Sequence, residues 1–163
     1  RINSDLSLDE QVRYFDENNL TVGNGPLPFE VGKPTTVRVY WVLTNNLHEL
    51  KDAKVTADLP DYVVWYNKNR TTVGDISWDE ENRKVSWNIG RLPISVFRAD
   101  AEFNITVTPR EEDKDKIIVI KPGSKVTAVD SETEDSIEKS GATKTSKLED
   151  DEIAEASNDG VVR

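Results

Sequence analysis

The sequence contains no cysteine, which excludes a disulfide framework and any thiolate metal site. Methionine is absent too, even at position 1. The chain is therefore expected to start after a processing event or to be an excerpt of something longer, and a signal peptide would not be visible in it. The single histidine, His48, stands between Leu47 and Glu49 in a predicted turn. A triad would need a nucleophile and an orienting carboxylate around it, and a structural metal site would usually need several His or Cys ligands. His48 is accordingly read as an ordinary surface residue. No apolar run approaches the roughly 18–20 residues of a membrane span. Gly-x-Ser-x-Gly elbows, phosphate-cradling glycine loops and His-Glu-x-x-His helices are missing. Basic residues are in deficit, 21 against 31 acidic, for a formal net charge of −10. Such a field repels nucleic acid and anionic membranes and suits cations or basic partners.

What the sequence does contain is extended-chain periodicity. In Thr36–Asn46, Val37, Val39, Trp41 and Leu43 fall on one side of a strand and Arg38, Tyr40, Val42 and Thr44 on the other. Further short strands follow: Ala53–Leu59, ended by Pro60; Tyr62–Tyr66; Ile76–Trp78 and Lys84–Ile89 as a hairpin around Asp79–Asn82; Ala101–Thr108 with Phe103, Ile105 and Val107 inward; a continuously apolar Ile117–Ile120; Lys125–Val129; and Ser136–Thr145. At the head, Leu6, Leu8, Val12 and Tyr14 alternate, broken only by Glu10. A strand over Leu6–Phe15 is predicted, with a short helix as the competing reading. The glycines and prolines of Thr21–Pro28 make a loop. These elements predict an all-β fold, a sandwich of about 7–9 antiparallel strands.

Four pieces arrive in a telling order: Trp41-Val-Leu-Thr-Asn45, Val55-Thr-Ala-Asp-Leu-Pro-Asp-Tyr-Val63, Val85-Ser-Trp-Asn-Ile-Gly-Arg-Leu92 and Ala101-Glu-Phe-Asn-Ile-Thr-Val-Thr-Pro109. Together they resemble the conserved-repeat immunoglobulin-like domains of bacterial and archaeal surface proteins, a family of unknown molecular function. The resemblance spans about residues 31–148 and implies an exported, often tandemly repeated sandwich without a known active site. This chain departs from the family pattern at Pro93–Arg98, where a glycine-containing turn is usual, and in both terminal segments. The expected organisation is an N-terminal extension (1–30), an immunoglobulin-like sandwich (31–146) and an acidic tail (147–163).

No spacing selects a catalytic carboxylate pair, so no enzyme and no cofactor is expected. Calcium is the one ion with candidate ligands, in oxygen-rich loops: Asp79, Glu80 and Glu81; Asp130, Glu132 and Asp135; Glu149, Asp150 and Asp151. Asn19, Asn69 and Asn104 begin glycosylation sequons, and Asn104 is expected on the outward side of its strand, where a glycan fits. Trp41 and Trp87 share a parity with core positions, whereas Trp65 and Trp78 leave open a sugar-stacking surface.

The role expected from all this is a non-catalytic extracellular structural protein, a building block of a surface filament, stalk or layer. The alternative is an adhesin or a glycan- or ion-binding module of a larger surface protein. The tail holds six acidic residues and few large apolar ones, so by itself it should be disordered. The sequence therefore predicts that other copies or tandem repeats order the ends by strand addition, through Leu6, Leu8, Val12, Tyr14, Val161 and Val162. A head that pairs with its own domain is the opposing expectation.

Overall fold

The twelve-residue alternation around Trp41 becomes β2 (Thr35–Asn46), and the rest of the chain packs about it. Val37, Val39, Trp41 and Leu43 are fully buried. The computed structural model describes residues 2–163. Antiparallel to β2 on one side lies β1 (Asp5–Arg13), Asp5 facing Asn46 and Arg13 facing Arg38. On its other side lies β7 (Arg98–Val107), with Thr35 facing Val107 and Thr44 facing Arg98. Beyond β7, β4 (Val63–Thr71) completes a four-stranded sheet in the order β1-β2-β7-β4. The second sheet runs β10 (Ser136–Ser140), β9 (Lys125–Asp130), β3 (Leu50–Asp58), β6 (Lys84–Leu92), β5 (Asp75–Asp79). A short ladder joins β8 (Val119–Lys121) to β11 (Lys144–Thr145). A 3₁₀ turn, Glu111–Asp113, and one short helix, α1 (Glu152–Ser157), complete the elements.

The protein is thus an all-β, immunoglobulin-like sandwich of antiparallel sheets. Aromatic rings fill the space between them: Trp41 stacks on Trp87 (centroids 6.2 Å apart) and meets Phe103 edge-on (4.9 Å). Offset and edge-on pairs of this kind add about 0.5–1.5 kcal/mol beyond burial. Trp65 stacks on Phe103 at 5.4 Å, and Trp78 carries the Arg83 guanidinium at 5.6 Å. The two tryptophans left open by sequence are therefore occupied within the domain, not paired as a platform. Ile117 is exposed while Ile118 and Ile120 are buried, so the four-residue apolar run is one-sided at its start.

Both terminal segments are ordered without a neighbouring copy. The head is the predicted strand, and its ladder runs to β2 of its own sheet over nine residue pairs, as the opposing expectation had it. Leu6 and Val12 are buried, so neither is available to a neighbour. The tail is ordered by this domain as well. Leu148, Ala154 and Val162 are buried, Val162 N–H donates to Lys116 O (2.9 Å), and Arg163 N–H donates to Phe29 O (2.8 Å). Composition undervalued the tail because few of its residues are apolar, yet those few enter a core that already exists.

The described ends lie at opposite poles. Ser4 meets Asn46 and His48 at the C-terminal end of β2, and Arg163 meets Phe29 and Val31 near its start. The length of β2 separates them, about 40 Å at 3.3 Å per residue.

Candidate functional site

Glu10 interrupts the apolar alternation of β1, and the period-two geometry of a strand sends it inward with Leu6 and Val12. Its side chain is 2% exposed and forms an ion pair with Lys121, which is 0% exposed. Lys121 follows the apolar run Ile117–Ile120 and ends β8. Its ammonium also donates to Pro122 O (2.7 Å) and Ser124 Oγ (2.8 Å), so all three protons are used. The Glu10 carboxylate accepts from Trp41 Nε1 (2.9 Å), Ser124 N–H (3.2 Å) and the Ser124 hydroxyl. A β-carbon at Gly141 would collide with that carboxylate, which is why the chain passes so close there. Burial pushes the Glu10 pKa up, but the Lys121 charge and the bonds from Lys121, Ser124 and Trp41 outweigh it, and the net direction is down. Burial pushes Lys121 down against the pull of Glu10. No described side-chain polar atom buried from solvent lacks a partner. The arrangement fixes β1, β2, β8 and the 122–124 turn to one another.

A second cluster holds the start of β1. Asp130 is fully buried and accepts from Ser4 N–H (2.7 Å), Glu132 N–H (2.9 Å), Thr133 N–H (3.1 Å) and His48 Nδ1 (2.7 Å). His48 Nε2 reaches Glu132 at 3.2 Å. His48 is therefore a positioned side chain, not the ordinary surface residue expected. Burial raises the Asp130 pKa, but the bonds from His48, Ser4, Thr133 and Glu132 win and hold it far below the usual carboxylate range. With the folded value depressed, its stabilisation is complete above the unfolded pKa of about 3.9 and is lost as pH falls below it. Asp130→Asn keeps the acceptor for Glu132 and Thr133 but opposes a donor to Ser4 N–H. We expect a loss of about 1–2 kcal/mol at neutral pH and a flatter acid limb in urea titrations; an unchanged limb would contradict the assignment.

The tail carries a third cluster. Asp151 Oδ2 accepts from Tyr14 N–H and Phe15 N–H (both 2.7 Å), and its Oδ1 caps α1 through Ala154 N–H (3.0 Å). Asp150 accepts from Val12 N–H (3.1 Å) and Lys144 (3.0 Å). Glu149 accepts from the Thr145 amide and hydroxyl. Asp79 closes its turn by accepting from the Asn82 backbone and side chain. Of the calcium candidates, Asp79, Asp130, Glu149, Asp150 and Asp151 are thus engaged with N–H or hydroxyl donors, and among the described residues no group of three is placed to hold a metal ion. Of the sequon asparagines, Asn19 and Asn69 are exposed. Asn104 is buried and accepts from Arg38 Nε (2.9 Å), which corrects the expectation that a glycan fits there.

Sequence reasoning missed Glu10, Lys121 and Ser124. The available signal was a pair of opposite charges, each interrupting an apolar strand pattern.

No protein-family model matches the chain, and no curated protein matches it in sequence. Its fold is similar to solved structures of pilins. A crystal structure of the major pilin subunit of Bacillus cereus aligns over 88% of this chain and 40% of its own, at 14% identity and TM-score 0.56. The full-length major pilin of Corynebacterium diphtheriae aligns over 86% of this chain and 34% of its own, at 7% identity and TM-score 0.54. The chain thus spans well under half the length of either.

Proposed function

We propose that the chain is a non-catalytic building block of an extracellular filament, stalk or layer, a unit that meets copies of itself. The observation that carries this reading is the sandwich it shares, over most of its length, with major pilin subunits, an analogy of fold. The conserved-repeat surface family suggested by its motifs fits the same role. Glu10 and Lys121, the chemically richest pair, are closed to any substrate and serve to bind strands together. No described helix is long and apolar enough to cross a membrane.

Contacts between copies are assigned to the pole beside the end of β2, since strand addition by the head would require breaking the β1–β2 ladder. Ile2, Leu47, Ile94 and Phe97 are all exposed there, at 77%, 48%, 53% and 64%. The Phe97 carbonyl accepts from Asn45 N–H (2.7 Å), which sets the 93–97 turn against β2 beside Leu47. An exposed apolar cluster of this kind marks a surface for contact with another copy. Sedimentation of the purified chain over rising concentration should show linear oligomers, and electron microscopy of native surface material labelled with antibody to this chain should show filaments or arrays. Leu47→Asp with Phe97→Asp should leave a monomer whose stability changes by only about 0.5 kcal/mol. A strictly monomeric parent chain together with unlabelled surface structures would overturn the reading.

A further inference from the structure

We infer that the outer face of the four-stranded sheet is a binding groove for a neutral, linear oligosaccharide. This goes beyond the structural role and can fail without it. The alternation that buries Val39 and Trp41 places Arg38, Tyr40 and Val42 outward, beside Asp9 and Gln11 of β1 and Asp100 and Glu102 of β7. They line a concavity of about 620 Å³, running about 15 Å along the strands by their rise per residue. One wall is the 16–20 loop, stiffened where Asp16 accepts from Asn18 N–H and Leu20 N–H (both 2.9 Å).

The donors and acceptors in this groove are held in place but incompletely used. Arg38 is anchored through Nε on Asn104, leaving its Nη1 3.9 Å from Glu102 Oε1. Arg70 Nε stands 3.6 Å from the same oxygen. Both distances exceed a hydrogen bond, so the Glu102 carboxylate lies between two guanidiniums without a hydrogen bond to the nitrogens that face it. Arg98 uses only Nε, on Asp100 at 3.2 Å. The lining carries four arginines against five carboxylates. A phosphate polymer would meet repulsion from the carboxylates, and a cationic one from the guanidiniums. Vicinal hydroxyls donate and accept at once, which is what alternating forks and carboxylates match. The half-buried Tyr40 ring and the arginine stems supply apolar surface for sugar C–H groups. An extended peptide is disfavoured because it takes up free backbone groups at a sheet edge, and the middle of the floor is β2, whose backbone is paired on both sides.

The test is amide chemical-shift mapping and calorimetry of the intact chain with the hexasaccharides of chitin, cellulose, starch and mannan. At least one should shift resonances confined to 9–13, 38–42 and 100–102, with binding retained in about 0.5 M salt, where exposed charge attraction is screened. Glu102→Gln and Arg70→Gln should each weaken it about tenfold, the loss expected for one charged hydrogen bond, while the Trp41 indole resonance stays in place. Silence from all four sugars at about 10 mM, shifts outside the groove, or binding that disappears in salt would each overturn the proposal, the last marking a plain charged surface that also takes ionic peptides.

Discussion

Lys121→Met is expected to destabilise the domain by about 3–5 kcal/mol, because it leaves the Glu10 carboxylate buried without its counter-charge. In a chain of this size that lowers the melting temperature by about 10 °C or more. The pH dependence should invert as well. In the native protein the folded pKa of Glu10 is lowered, so its stabilisation is present above the unfolded value and is lost as pH falls through the folded one. Without Lys121 the dominant influence on Glu10 is burial, which raises its pKa. The variant should then gain stability as pH falls toward the unfolded value, a range over which the native contribution of Glu10 is still complete. Glu10→Gln added to Lys121→Met removes the unpaired charge and still offers an acceptor to Trp41 Nε1 and Ser124. The double variant should recover most of the loss. Urea titrations of the three proteins between about pH 4 and 8 decide this; a double variant no more stable than the single one would mean that Lys121 acts through packing alone.

Asp151→Ala should release the tail, at a cost of about 2–4 kcal/mol. Three backbone N–H groups lose their acceptor, those of Tyr14, Phe15 and Ala154. Each unsatisfied donor costs about 1–3 kcal/mol when enclosed and less where water reaches it, and the lost helix cap adds about 1 kcal/mol. Leu148, Ala154 and Val162 leave the core together with the tail. Hydrogen exchange should rise at residues 12–15 and 148–162 and stay unchanged across β3, β6 and β9. Asp151→Asn, which keeps one carbonyl oxygen, should fall between the two. Global loss of protection in Asp151→Ala would show that the tail is integral to cooperative folding and not a separable latch.

The sheets were legible in the sequence because side-chain alternation is a local property of an extended chain. Val37, Val39, Trp41 and Leu43 on β2, and Phe103, Ile105 and Val107 on β7, point inward as the period of two dictates. The parity of Trp41 and Trp87 was sufficient to place both in the core. Pro60 and the Asp79–Asn82 turn marked strand ends for reasons contained in a few neighbouring residues.

Only the tertiary structure decided which distant groups would meet. Glu10 looked like a break in a strand until Lys121, 111 positions later, was seen opposite it. His48 looked like an ordinary surface residue because Asp130 and Glu132 reach it from another strand and its following turn. Asn104 had the outward parity of a glycan acceptor, yet Arg38 closes over it from the neighbouring strand. The tail looked too polar to order because composition counts its charges as hydrated, whereas Asp150 and Asp151 each replace water by accepting from N–H groups of the β1 segment. Periodicity along a strand is fixed by covalent geometry and can be read one residue at a time. The pairing of charges and hydrogen-bonding groups between strands depends on register and sheet order, which arise only when the whole core closes.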